Sequence, residues 1–190
     1  MRIRVAVPAP TFRVNDVHGR PLSLEDLRGR RVLLSFFRDA ACPFCNLRVY
    51  ELSNEYAALR ERGMEVVVVF RSSPEAVRRF VARRPRPFRL VADPELAAFA
   101  GYGVERSAGG AIRAMVRRMP RLLRGLWLGR GRMPVAHPTL MPADFLIDER
   151  GYVRHAFYGR DLGDHLPLEA VRRFATRDGA PVRATTGVAG

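Results

Sequence analysis

Residues 31–63 read RVLLSFFRDAACPFCNLRVYELSNEYAALRERG, and this stretch decides the fold. The run from Arg31 to Phe37 is apolar without alternation, as in a strand buried on both faces. Beyond it Val49, Leu52, Tyr56 and Leu59 recur at helical spacing, and Gly63 closes the pattern. The junction between strand and helix holds Cys42 and Cys45, the only cysteines of the chain, with Pro43 and Phe44 between them. Pro43 suits the first helical position, where a missing N–H costs nothing, so Cys42 is expected at the helix N-cap. Unpaired amides and the positive end of the helix dipole there favour a thiolate over a thiol. Two thiols this close can open and close a disulfide while the rest of the chain stays in place.

Upstream, residues 11–30 predict a hairpin turning at His18-Gly19, then a short helical turn over Leu24–Leu27 closed by Gly29. Downstream come a buried strand over Glu65–Phe70 and, after the helix-start signals Ser72, Ser73, Pro74 and Glu75, a helix over Ala76–Arg84 stopped by Pro85 and Pro87. A short strand near Phe88–Ala92 and a helix near Pro94–Gly101 follow. The strand Ala143–Asp148 turns through Glu149, Arg150 and Gly151 into an antiparallel partner, Tyr152–Tyr158. A closing helix starting at Pro167 carries Leu168, Val171 and Phe174 on one face. This order predicts an α/β fold, a mixed sheet with helices on both faces, in one domain over residues 1–178. Small and polar residues from Asp178 onward predict a disordered tail over residues 179–190.

A chain of 190 residues can bury a core without disulfide staples, so cysteine is not needed for architecture. The first residues, MRIRVAVPAP, hold no apolar stretch of signal-peptide length, and no run is long enough to span a bilayer. A soluble, cytoplasmic protein is the expectation, and in a reducing compartment a lone CxxC points to redox chemistry more than to structure. Zinc would require a second ligand pair, and His18, His137, His155 and His165 offer no matching spacing. No metal or organic cofactor is called for.

The formal charge is +14, from 33 basic and 19 acidic residues, and every basic residue is arginine. A whole-chain absence of lysine favours a coding bias over a local binding design, although a field of this size attracts anionic partners. The charge is densest in an insertion at residues 107–136, SAGGAIRAMVRRMPRLLRGLWLGRGRMPVA. Ile112, Met115, Val116 and Met119 share a helix face, and Leu122, Leu123, Leu126 and Trp127 extend it beyond Pro120. Arg113, Arg117, Arg118, Arg121, Arg124, Arg130 and Arg132 form the basic side. Two readings stand: a solvated arginine face over a helix packed on the domain or on a second copy in a homodimer, or a nucleic-acid or membrane contact through residues 113–132.

Two segments carry a family resemblance. FFRDAACPFCNLRVYEL (Phe36–Leu52) and PADFLIDERGYVRHAFYGRDLGDHLP (Pro142–Pro167) resemble the peroxiredoxin-like, AhpC/TSA-like branch of the thioredoxin superfamily. The resemblance extends over roughly Pro10 to Thr176 and implies a thioredoxin fold in which Pro142 is a cis-proline facing the CxxC. The residues alone leave Pro142 open between a cis bond and a trans proline opening a strand. One departure matters. Counting back from Cys42, the proline and threonine that characterise a peroxiredoxin site are replaced by Ser35 and Asp39. Peroxide reduction loses its usual hydroxyl partner, whereas disulfide exchange is untouched.

The chemistry expected of the pair is attack by the Cys42 thiolate, at an exposed N-cap, on a protein or small-molecule disulfide, followed by resolution by Cys45 one turn inside. Run in reverse, the oxidised pair takes electrons from a dithiol. With peroxide as oxidant, Cys42 passes through a sulfenic acid that condenses with Cys45, and a thioredoxin-type protein would return the electrons. Arg38 and Arg48 are candidates to stabilise the thiolate and the peroxide oxygens. Asp161, Asp164 and His165 are expected to cap the closing helix, with a substrate-side role for His165 as the alternative. Three function classes follow: a thiol-disulfide oxidoreductase, a thiol peroxidase, and an anion-binding module built on the insertion.

Overall fold

The computed structural model describes residues 2–104, 119–127 and 139–176. Its centre is a five-stranded sheet in the order β5-β4-β3-β6-β7, from β3 (Arg31–Phe37), β4 (Met64–Phe70), β5 (Arg89–Ala92), β6 (Ala143–Ile147) and β7 (Val153–Tyr158). The pairs β3–β4 and β4–β5 are parallel, whereas β3–β6 and β6–β7 are antiparallel. The helices are α1 (Pro43–Glu61), α2 (Pro74–Phe80), α3 (Ala97–Ala100), α4 (Met119–Trp127) and α5 (Leu168–Thr176). A small hairpin of β1 (Arg13–Asn15) and β2 (Pro21–Ser23) precedes the sheet, followed by a single 3-10 turn at Glu25–Leu27.

The alternation hidden in the apolar run of β3 sorts its side chains onto two cores. Leu33 and Phe37 join Val66, Val68 and Phe70 of β4 beneath Val49, Leu52, Tyr56 and Leu59 of α1 and Val171 and Phe174 of α5. Val32, Leu34 and Phe36 face the other way, with Phe145, Phe99 and Tyr102. There the ring of Phe36 lies 4.8 Å from that of Phe99 and 5.0 Å from that of Tyr102, within aromatic contact distance. The mixed α/β sheet expected from the order of elements is the one observed.

Both sheet edges are covered. Val17 N–H donates to Leu90 O at 2.9 Å beside β5, and Val153 N–H donates to Val7 O at 2.9 Å beside β7. Such coverage removes the open ladder that an edge strand would otherwise present.

Two helices are shorter than the sequence predicts. The helix expected over Ala76–Arg84 ends at Phe80, because Ala82 N–H reaches back to Val77 O (3.0 Å) and Arg86 Nε takes Val81 O (2.9 Å). The helix expected over Pro94–Gly101 is confined to Ala97–Ala100. Leu96 is left-handed (φ 64°), and the buried Asp93 carboxylate accepts from the N–H groups of Ala97 (2.8 Å), Ala98 (2.8 Å) and Phe99 (3.3 Å). Of the insertion, only α4 lies within the described residues, where Pro120 occupies the first turn that accepts proline. It runs alongside α1, with Met119, Leu123, Leu126 and Trp127 exposed. The rest of the arginine-rich stretch and the tail expected to be disordered lie outside the described residues.

Asp93→Ala leaves three amides without their acceptor, two of them on buried residues. A loss of about 1–3 kcal/mol in urea unfolding is expected, against a change within 0.5 kcal/mol for an exposed control such as Glu95→Ala.

Candidate active site

The loop between β3 and α1 is tied at every residue that precedes the helix. Ala40 N–H donates to Ser72 Oγ (3.0 Å) beyond β4, and Ala41 N–H donates to Asp39 Oδ1 (2.6 Å). Cys42 N–H donates to Asp39 O at 3.2 Å. Asn46, buried one turn into α1, donates from Nδ2 to Ala40 O (2.5 Å) and Cys42 O (3.1 Å). Cys42 therefore holds the extended conformation of an N-cap (φ −66°, ψ 125°), with Pro43 at the first helical position.

The Arg38 side chain turns back over the helix start. It donates to Cys42 Sγ from Nε at 3.2 Å and from Nη2 at 2.9 Å. Both cysteines are unbonded to each other, and both are buried: Cys42 is 0 % exposed and Cys45 1 %. An exposed Cys42 is the sequence expectation, and the structure corrects it. The reason is the tied loop and the guanidinium drawn in with it, for Arg38 itself is only 3 % exposed.

Burial pushes the Cys42 thiol up, but the hydrogen bond from Cys45, the Arg38 charge and the Cys45 amide at the helix start overcome it and bring Cys42 to about 6. Burial and the adjacent Cys42 anion push Cys45 far the other way. A thiolate and a protonated thiol thus stand one turn apart. The helix end and an arginine were the expected sources of acidity, and of the two candidate arginines it is Arg38 that acts on Cys42.

Arg48 takes a different course from Arg38. Its Nη2 donates to Leu166 O at 2.6 Å, and Glu51 lies 3.7 Å from Nη1. That anchor belongs to a buried polar group centred on Asp144, which faces Ser35 in the β3–β6 register. Asp144 accepts from Ser35 Oγ, from Leu166 N–H at 2.7 Å and at 3.1 Å from the His165 ring. Burial opposes its ionisation, but His165, Arg48 and Ser35 bring the carboxyl down to about 2. His165 therefore turns to Asp144 instead of capping the closing helix. Asp161 accepts from Gly163 N–H (2.9 Å) and Asp164 from Arg160 N–H (2.8 Å), closing the loop before that helix.

Pro142 is buried at the start of β6, and Met141 before it belongs to the same apolar cluster as both cysteines. Pro142 O accepts from Gly159 N–H at 2.8 Å. A Cβ on Gly159 would stand 2.8 Å from Pro142 Cγ, so the glycine lets the two segments meet. Asn46, Ser72 and Asp144 are absent from the sequence-derived candidates. Asp144 carried a readable signal, an acid in a buried apolar strand; Ser72 carried none.

The Cys42 thiolate fraction, followed as the rate of iodoacetamide labelling, is expected to titrate with a midpoint near pH 6, and Cys45→Ser should move that midpoint upward. Asp144→Asn should cost on the order of 2 kcal/mol at neutral pH. The carboxyl sits below its ordinary value of 3.8 when folded, so its stabilisation is present above about pH 4 and fades towards pH 2. The gap between wild type and variant in urea unfolding should narrow over that window.

Known proteins resemble the chain in sequence and in fold. Peroxiredoxin Bcp of Escherichia coli K12 is 25% identical over 157 residues, covering 83% of this chain and 86% of its own. The thiol-disulfide oxidoreductase ResA of Halalkalibacterium halodurans is 31% identical over 102 residues, 53% of this chain and 57% of its own. Among solved structures, peroxidoxin BcpB of Mycobacterium tuberculosis superposes with a TM-score of 0.67 at 16% identity, over 92% of this chain and 97% of its own, which establishes the thioredoxin-like fold. With residues 5–156 matching the AhpC/TSA family model, the chain belongs to the AhpC/TSA family.

Proposed function

We propose that Cys42 and Cys45 form a reversible dithiol/disulfide couple in which Cys42 attacks and Cys45 resolves. The observation that carries this reading is the pair of hydrogen bonds from the buried Arg38 guanidinium to Cys42 Sγ, at 3.2 and 2.9 Å. They leave Cys42 ionised at neutral pH while Cys45 keeps its proton. The Cys42 thiolate attacks one sulfur of a substrate disulfide, the other sulfur leaves as a thiolate, and a mixed disulfide remains. Cys45 then loses its proton and attacks Cys42, releasing the second substrate thiolate. Arg48 and Pro43 shape the site indirectly, Arg48 by holding the His165–Leu166 segment and Pro43 by starting the helix. Pro142 lines the site through the Met141–Pro142 segment.

The family and its relatives make the chain an oxidoreductase of peroxiredoxin-like type, and a thiol or peroxide is the substrate class. Of the two, disulfide exchange fits these residues better. Asp39, at the position of the peroxiredoxin threonine, spends its carboxylate on Ala41 N–H and offers a peroxide no hydroxyl. Peroxide reduction is the second reading, favoured by the names of the relatives and by a guanidinium already against the attacking sulfur. We place the reaction in the cytoplasm, with a thioredoxin-type protein as electron donor. Among the described residues no helix is long and apolar enough to cross a membrane.

One measurement separates the readings. After a stoichiometric dose of hydrogen peroxide, or in an excess of glutathione disulfide, the intact mass of the wild type should fall by two hydrogens. Cys45→Ser should instead retain a glutathione adduct, and Cys42→Ser should do neither. Peroxide consumption no faster than by free cysteine, beside rapid closure by glutathione disulfide, would remove the peroxidase reading. Rapid consumption lost in Cys42→Ser would establish it.

A further inference from the structure

Arg38 bears on the direction in which electrons run through the pair. In the reduced protein the guanidinium is 3 % exposed and donates twice to the sulfur of Cys42. Burial opposes its charge, and the Cys42 anion is the first of the groups that offset it. Forming the Cys42–Cys45 disulfide removes that anion and leaves the guanidinium, which cannot give up its proton, in the same buried place. Charge-assisted hydrogen bonds to a buried anion are strong, and these two exist only while Cys42 is a thiolate. Their loss falls on the disulfide form alone.

We propose that Arg38 poises the CPFC couple towards its dithiol, so that the oxidised protein is a ready acceptor of electrons from ordinary thiols and a disulfide donor to dithiol substrates. The inference rests on the dithiol/disulfide reading above and assigns its direction. A couple whose reduced form is selectively stabilised is the more oxidising one. The step that returns the protein to its resting dithiol is then downhill even from a monothiol, and a dedicated dithiol reductant is not required.

The proton balance makes the idea measurable. With glutathione as the reductant, two molecules are joined into glutathione disulfide while the Cys42–Cys45 bond breaks and takes up the two electrons. Cys45 keeps one proton, Cys42 remains a thiolate on Arg38, and one proton is released. Among the described residues, the groups that act on the Cys42 sulfur are Arg38 from the loop and Cys45 from α1. The Asp39 carboxylate in the same loop is turned to Ala41 N–H. The Cys42 midpoint near 6 therefore sets where that proton begins to appear.

The test is equilibration of the full chain with glutathione buffers from pH 5 to 8, reading dithiol and disulfide by acid quench, alkylation and mass. For wild type, the apparent constant favouring the dithiol should be flat below about pH 6 and rise about tenfold per pH unit above it. At pH 7 it should exceed that of Arg38→Met by at least about tenfold, or about 30 mV. Arg38→Lys, which keeps the charge but not the fork, should fall between them. A constant that stays flat to pH 8 in wild type, or one that Arg38→Met leaves unchanged or raises, overturns the proposal. The pH profile needs no variant, so poor folding of Arg38→Met does not shield the idea. A protein that forms no intramolecular disulfide at any glutathione ratio fails earlier and overturns the couple itself, which is a different outcome from a couple with the wrong poise.

Discussion

Strand β3 is hydrogen-bonded along both edges, to β4 and to β6, and buried on both faces. Every other element is placed by that constraint. The two cores are the two faces of this strand and its neighbours, and α1 must leave from its end. Since β3 is parallel to β4, the loops after both strands emerge at the same end of the sheet, which is why Ser72 can hold Ala40. The start of α1, and with it the cysteine pair, is fixed at a point where backbone amides are available and solvent is not.

Burial at that point would silence an isolated thiol. Desolvation raises a thiol and lowers a guanidinium, so each group is disfavoured there alone; side by side each stabilises the charged form of the other. The geometry shows the exchange directly, in two N–H groups of one guanidinium on one sulfur. The same arrangement splits the two cysteines, since the anion that Arg38 stabilises on Cys42 is one of the charges that keeps Cys45 protonated. The two thiols therefore differ in protonation, and the difference follows from the guanidinium on Cys42 Sγ.

A second polar group runs through the core and illustrates what can and cannot be read from a chain. Ser35 and Asp144 were each visible as a polar residue in a buried strand, but not as partners, because pairing depends on the register of β3 against β6, separated by more than half the chain. Their contacts with His165, Leu166 and Arg48 bring in two further segments. The capping role expected for His165 went astray for the same reason. Local spacing suggested a helix cap, and a distant carboxylate offered the imidazole a buried partner. Two helices were also overlong in expectation, since Leu96 in a left-handed conformation and the back-turned Ala82 N–H are local backbone choices that apolar periodicity does not report.

Sequence alone determined the strand–CPFC–helix unit, the mixed sheet and the placing of Cys42 at the helix N-cap, because all three follow from short-range features: an unbroken apolar run, a helical period, and a proline between two thiols at a helix start. Tertiary structure decided that Cys42 is buried, that Arg38 rather than Arg48 is on its sulfur, and that Asp144 is the hub of the buried polar group. Those facts depend on which distant segments share a small dry volume. In such a volume the strength and sign of each charge's effect are set by neighbours that periodicity and spacing do not name.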